Sequence, residues 1–295
     1  MKNDDVMVNC PYCDSDDAKY WAEERGWKVV RCLHCRYLYV NPRPSLMMRN
    51  LATEFGTHAS GGNLDISERR VGRKVALYRQ ALQTMFSDLW SSNRPVISWI
   101  DIGAGYGEMA EAVKSLAHPN SKVIGLEPML PKVLAARAMG LEMISGYIDH
   151  NTPKCQFASA INIFSHIYDF DHFLCSVRDI LEEGGDLLIE TGDMSNVESR
   201  EQLPGELGLP DHVAFASEEH LTGFLSRNGF KVISVQHIRE DNLIYFMKNT
   251  LKRLVGRDVV LSLPFSSPYR SIRIRARKLP LMTSTCLDRE SSKRT

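Results

Sequence analysis

What this sequence lacks first is a net charge: its 36 Lys and Arg are matched by 36 Asp and Glu over 295 residues. No overall positive field draws it to a polyanion, so nucleic acid is not the expected partner. It also lacks any apolar run near the ~20 residues that a membrane-spanning helix needs. The opening residues MKNDDVMVNC carry acid where a signal peptide carries an apolar core. A cytoplasmic chain with no membrane partner is therefore expected. The compositional bias of disordered or fibrous chains is missing as well, since 43% hydrophobic and 24% charged residues are ordinary. The length suits one large α/β domain with a small accessory unit. In a reducing compartment, the seven cysteines are expected to hold metal rather than form disulfides.

Their spacing supports that expectation. Cys10-Pro-Tyr-Cys13 and Cys32-Leu-His-Cys35 are two CxxC pairs separated by eighteen residues, within the spacing of a four-thiolate zinc site. Each CxxC turn puts two sulfurs on one side of a tight knuckle, and two knuckles joined by a short strand pair close a tetrahedron. Trp27, Val29 and Val30 fit one such strand. Four thiolates leave the metal no open position, so the ion is read as structural and His34 has no vacancy to fill. Buried free thiols are the plain alternative. The stretch Tyr37 to Pro44 follows as a linker, because two prolines end a strand and bar an immediate helix. From about Leu64 to Trp90, apolar residues at helical spacing predict an amphipathic helix.

The most informative stretch is Ser98-Trp-Ile-Asp101-Ile-Gly103-Ala-Gly105-Tyr-Gly107 followed by Glu108 to Ala117, which reads as strand, glycine turn and helix. Three glycines let a ligand approach the backbone at a helix N-terminus. The third arrives one residue too early for the dinucleotide fingerprint. Asp101 repels a pyrophosphate but accepts a hydrogen bond from an amino-acid ammonium group. A second strand, Lys122 to Glu127, ends in a carboxylate placed to bind a ribose diol. Leu141 to Gly146 forms a third strand, and Tyr147, Ile148 and Asp149 after it are expected to edge an adenine ring. Phe157 to Phe164 is a buried parallel strand. A helix from about Asp171 and a strand Asp186 to Glu190 complete the βα alternation.

These residues resemble the class I S-adenosylmethionine-dependent methyltransferases. The likeness is to the branch with an N-terminal zinc ribbon that includes deoxysugar C-methyltransferases and methyltransferases of glycan or secondary-metabolite pathways. CPYC with CLHC and YVNPRP is similar to that branch's ribbon and exit, and DIGAGYG to its cofactor loop. FSHIYDF with LEEGGDLLIET is similar to its EHI-type turn and GG-strand, though Ala158 and Ser165 stand where the family usually has acids. The resemblance implies an α/β, Rossmann-like seven-stranded sheet with a reversed last strand. It places the ribbon and linker in residues 1–44, the methyltransferase domain in 45–282 and a disordered tail in 283–295.

Under that resemblance, S-adenosylmethionine is the cofactor and Zn²⁺ the structural metal. The acceptor is a small molecule, such as a sugar, glycan precursor or secondary metabolite, and a nucleotide-linked sugar is one candidate. Strand-end residues at one sheet edge face the ligand crevice, which makes His166 and His212 candidate bases. His220, a third candidate base, lies in the first turn of a helix capped by Ser217, where a histidine reads as structural or exposed. Phe230 to Ile238 reads as a strand, and Ile244 to Val255 has helical spacing. Ile272 to Arg277 alternates as a strand whose arginines form the solvated face of an edge or attract a phosphorylated substrate. RNA methylation stays as an alternative, although the signature of Asn or Asp, two prolines and an aromatic is missing after the fourth strand. A non-catalytic binding module is the other.

Overall fold

The computed structural model describes residues 5–55, 73–90, 94–203, 206–239, 243–255, 263 and 266–280. The predicted tail and the first part of the predicted long helix lie outside them. Two sheets organise the chain. The larger has seven strands in the order β10-β11-β8-β7-β4-β5-β6, made of β4 (Ser98–Ile102), β5 (Lys122–Glu127), β6 (Glu142–Ser145), β7 (Cys155–Ile161), β8 (Leu181–Asp193), β10 (Phe230–Ile238) and β11 (Arg270–Lys278). All neighbours are parallel except β11, which runs antiparallel to β8 and β10. From β4 the chain goes outward through β5 and β6, then returns to the other side of β4 as β7. The switch point therefore lies between β4 and β7, where doubly wound sheets open a crevice at the strands' carboxyl ends.

Helices α2 (Arg73–Met85) and α3 (Glu108–Leu116) cover one face of this sheet and α5 (Phe170–Ile180) the other. Phe86, Trp99 and Phe157 stack under α2 and α3, with ring centroids 5.2–5.8 Å apart. Central strands buried on both faces need no polar alternation, which is why β4 and β7 read as apolar runs.

The smaller sheet has the order β1-β2-β3-β9, from β1 (Ala18–Glu24), β2 (Trp27–Cys32), β3 (Leu38–Val40) and β9 (Ala214–Phe215). Leu38 to Val40, which lies inside the predicted linker, is thus a fully buried strand. It pairs Leu38 with Phe215 and Tyr39 with Ala214, so the ribbon sheet crosses the expected boundary at residue 44 and takes its fourth strand from the main domain. The prolines end β3, as expected, but do not bar a helix: α1 (Leu46–Phe55) begins two residues after Pro44, once the chain has cleared the second ring. The last helices are α6 (Glu218–Arg227) and α7 (Leu243–Leu254), with α4 (Leu130–Arg137) between β5 and β6.

The structure corrects one expectation outright: β11 is not an edge strand. Arg273, Arg275 and Arg277 are not the solvated face of an edge, because β8 and β10 flank the strand and an acid answers each of the three. Arg273 pairs with Glu190. Arg275, 4% exposed, binds Asp88 at 2.5 Å and Asp186 at 2.6 Å. Arg277 binds Asp186 at 2.7 Å. The Arg275 guanidinium keeps its charge and forks across two carboxylates, which is what the buried Asp186 demands of its partner.

Candidate active site

Between β4 and α3 the chain turns through Gly103, Gly105 and Gly107 at φ +70°, +56° and +82°. An L side chain pays roughly 1–2 kcal/mol in that region, so glycine is the residue that makes the turn without strain. The three positions differ in their surroundings. A Cβ at Gly103 would run into Ile163, and one at Gly107 would lie 2.5 Å from Leu141 Cδ1, whereas one at Gly105 meets nothing within 4 Å. Two glycines therefore serve packing, and Gly105 borders an open space at the switch point.

Carboxylates line this turn. Glu127, at the end of β5, accepts the Gly105 amide at 2.8 Å through Oε2 and the Met129 amide at 3.0 Å through Oε1. Asp101 is 2% exposed and accepts from the Ser159 hydroxyl at 2.6 Å, while that hydroxyl accepts from the Trp99 indole at 2.9 Å. This row of donors fixes the Asp101 carboxylate. Burial pushes its pKa up to about 7, with the nearby charges of Glu108 and Glu127 acting in the same direction. Glu108, the first residue of α3, is also buried at 9%. Three carboxylates around one glycine turn repel a pyrophosphate and attract a cation. Glu108 escaped the sequence reading, although its replacement of the fingerprint's third glycine was the available signal. Tyr78 of α2, whose hydroxyl pKa is pushed up by burial and by the charges of Glu190, Asp101 and Glu108, escaped it too.

The loop after β6 meets this corner where the Gly146 amide donates to the Glu127 carbonyl at 3.0 Å. Tyr147 and Asp149 are exposed and Ile148 is partly buried against the core. The Tyr147 hydroxyl lies 2.9 Å from Thr53 Oγ1 of α1. Asp149 spends its carboxylate on the local turn, accepting from Asn151 N at 2.9 Å and Thr152 Oγ1 at 3.1 Å. The loop is thus tied to the end of β5 through Gly146 and to α1 through Tyr147, and Asp149 spends its hydrogen bonds on its own turn.

The other wall rises from β7. Asn162, at φ +56°, turns the chain into a single 3-10 turn, Phe164–His166. His166 Nδ1 lies 3.0 Å from the Asp211 carbonyl, and His212 Nδ1 lies 2.7 Å from the Leu207 carbonyl. A carbonyl only accepts, so each Nδ1 donates its proton to this bond. The rings meet edge to face at 4.7 Å. The structure thus brings together the two histidines that the sequence separates by forty-six positions.

Beside them a small cavity is lined by His166, Tyr168 and Asp211, and by Met48, Arg49 and Thr53 of α1. Arg43 and Arg49 place their guanidinium carbons 5.4 Å and 5.2 Å from the Tyr168 ring. Arg43 is 7% exposed and donates to the Tyr168 carbonyl at 2.8 Å; its Nε and Nη2 have no partner among the described residues. No sequence signal marked these arginines, because Arg43 lay inside the presumed linker.

The four ribbon cysteines converge. All four sulfurs lie within 4.8 Å of one another, with Cys10 to Cys35 at 3.5 Å and Cys13 to Cys32 at 3.6 Å. Four sulfurs at ~2.3 Å from one ion stand about 3.8 Å apart, so the donor set fits a tetrahedral Zn²⁺. The two knuckles repeat each other. Asp14 and Arg36, the residues after each second cysteine, take left-handed φ values of 62° and 67°, and their amides donate to the carbonyls of Cys10 and Cys32. His34 is exposed and outside the cluster.

His220 proves structural. It is 5% exposed, closes the capping box of α6 with Ser217, and bonds the Cys35 carbonyl through Nε2 at 2.9 Å. Its burial lowers its pKa. Tyr12, from the first knuckle, packs edge-on against His220 and Phe224 at 4.7 and 5.0 Å. A Cβ at Gly223 would collide with that tyrosine. The ribbon is therefore seated on α6 by aromatic packing and by hydrogen bonds from His220 to the Cys35 carbonyl and from Arg227 to the Tyr12 carbonyl.

A seven-stranded sheet with a reversed penultimate strand, a glycine turn at the switch point and an acid ending the next strand define a class I methyltransferase. A family model described as a methyltransferase domain matches residues 70–235, more than half of the chain, and the chain belongs to that family. It is an S-adenosylmethionine-dependent methyltransferase. Among solved structures it is similar to the [4+2]-cyclase SpnF, with a TM-score of 0.52 at 16% identity over 72% of this chain and 84% of that one. Geranyl diphosphate C-methyltransferase from Streptomyces coelicolor A3(2), solved with Mg²⁺, geranyl diphosphate and S-adenosyl-L-homocysteine, gives 0.54 at 14% identity over 72% and 87%. Coclaurine N-methyltransferase bound to N-methylheliamine and S-adenosylhomocysteine gives 0.51 at 11% over 68% and 72%. At these identities the likeness is one of fold. A search of curated proteins finds no match.

Proposed function

We propose that the chain methylates a small-molecule acceptor of the sugar, glycan-precursor or secondary-metabolite kind, with Zn²⁺ held by Cys10, Cys13, Cys32 and Cys35 as a structural ion. The observation that carries the reading is the acid-lined glycine turn. Asp101, Glu108 and Glu127 suit a cofactor that bears two positive charges, and Gly105 leaves it room. The cofactor supplies a methyl group already activated on a sulfonium. In this reading Glu127 holds the ribose hydroxyls while its oxygens steady the Gly105 and Met129 amides. Asp101 supplies the charge behind an ammonium group, and Tyr147 with Ile148 borders the adenine side.

The protein's remaining work is alignment and proton removal. The backbone carbonyls of Asp211 and Leu207 hold His166 and His212 as Nδ1–H tautomers, so an acceptor hydroxyl presented to this corner loses its proton to a histidine Nε2. Arg43 and Arg49 suit an acceptor with an anionic group, which agrees with a nucleotide-linked sugar. The division into a docked ribbon, residues 1–44, and a catalytic domain, residues 45–282, belongs to the same proposal, with β9 of the catalytic part completing the ribbon's sheet.

The test is an acceptor screen with methyl-labelled S-adenosylmethionine, beginning with nucleotide sugars. Once an acceptor is found, His166→Ala or His212→Ala is expected to lower kcat by roughly 10²–10⁴-fold with cofactor affinity unchanged. Full turnover in both variants would remove the histidines from the chemistry.

A further inference from the structure

Helix α7 is packed the wrong way round for a helix that serves only its own fold. Asn249 is 4% exposed, while Leu243, Ile244, Met247, Leu251, Leu254 and Val255 are 59, 65, 64, 64, 79 and 69% exposed. At about 100° per residue these six positions fall within an arc of roughly 120° opposite Asn249, so the apolar stripe points outward. Lys248 is exposed at one margin of that arc and Arg253 is exposed beyond the other, nearer Asn249, and the segment from Leu243 to Val255 contains no acidic residue.

The helix also has a position. β10 runs parallel to β8 and β7, so its end, which leads into α7, lies at the same sheet edge as the glycine turn and His166. Helix α1 stands at the opposite margin of that edge beside Tyr147, with Met47 and Phe55 71 and 68% exposed.

We propose that α7 docks on an anionic lipid surface. A basic helix with an apolar stripe seats the stripe at the boundary between head groups and acyl chains, while its cations reach the phosphates. Twelve residues make a helix about 18 Å long, short of the ~30 Å hydrocarbon core, so α7 lies in the plane of the membrane and does not cross it. This revises the expectation of no membrane partner, which rested on the lack of a spanning run and of a signal-peptide core and did not consider a helix lying in the interface. Charge selects a lipid over a second copy of the chain: a two-fold contact between α7 helices brings Lys248 and Arg253 against like charges with no acid to answer them.

The experiment is flotation of the full chain with vesicles of phosphatidylcholine, with and without phosphatidylglycerol, at low and high salt. The parent is expected to float with the mixed vesicles and to release as salt rises. Met247→Glu combined with Leu251→Glu is expected to reduce the bound fraction roughly tenfold or more while leaving the melting temperature and cofactor binding unchanged. No flotation with either vesicle would overturn the proposal, as would equal flotation of the variant. Binding indifferent to phosphatidylglycerol would overturn the anionic surface. A large loss of thermal stability in the variant would place the stripe inside the fold, and a dimer dispersed by it without vesicle binding would assign the face to a second copy.

Discussion

Gly105→Ala separates a ligand space from a packing constraint. The residue holds φ +56°, and an added Cβ meets no protein atom within 4 Å. Alanine there costs only the left-handed backbone penalty, roughly 1–2 kcal/mol. In a domain of this size that lowers the melting temperature by roughly 3–6 °C. The new methyl group enters the space beside the Gly105 amide, and a displacement worth about 1.4 kcal/mol weakens cofactor binding tenfold. Gly107→Ala is the control: it carries the same backbone penalty and drives a Cβ to 2.5 Å from Leu141 Cδ1, adding roughly 1–3 kcal/mol of overpacking. Thermal unfolding and calorimetric titration with S-adenosylhomocysteine read both quantities. Gly105→Ala is expected to lose at least tenfold in affinity for a small loss of stability, and Gly107→Ala to lose the more stability. A Gly105→Ala protein that melts a few degrees early but binds within twofold of the parent would refute the assignment of that space to the cofactor.

Cofactor affinity is expected to fall with pH, because the buried Asp101 carboxyl takes up its proton as pH drops through about 7 and only the carboxylate attracts a cation. Titrations from pH 8 to 6 should show the fall in the parent and a flat profile in Asp101→Asn. The same group has its folded pKa raised, so the stability it contributes is complete below pH 4 and lost as pH rises through about 7. Above pH 7 the unliganded Asp101→Asn protein should therefore gain in melting temperature on the parent. Arg275→Met strips Asp186, 1% exposed, of one of its two arginines and is expected to cost about 3 kcal/mol in denaturant unfolding; a change below about 1 kcal/mol would show that Arg277 suffices. Metal analysis should find one zinc per chain in the parent and almost none after Cys13→Ser with Cys32→Ser, together with a lower melting temperature.

The parts of the fold legible in the sequence are those that local chemistry dictates. The doubled CxxC spacing, the strand–glycine–helix turn and the run of βα units each follow from short-range rules, and β10 spans the predicted Phe230 to Ile238. What escaped depends on distant partners. β11 reads as an edge because alternating arginines look solvated, and its acids lie on β8 and after α2, some ninety and one hundred and ninety residues earlier. β9 has two residues and exists only because β3 pairs with it. Arg43 sits between prolines that look like a linker, and its burial becomes visible once Tyr168 is folded against it. The apolar stripe of α7 was legible as helical spacing, but its outward orientation was not. The histidine pair illustrates the same limit: each residue was a candidate alone, and only the turn after β7 brings them to 4.7 Å.

Calorimetric titration of the parent chain with S-adenosylmethionine and S-adenosylhomocysteine, alongside Glu127→Ala, tests the central claim most directly. The acid-lined glycine turn predicts one site per chain with micromolar-range binding to both ligands, weakened at least tenfold, about 1.4 kcal/mol, when Glu127 is removed. Absence of binding in the parent, or binding indifferent to Glu127, would contradict the account.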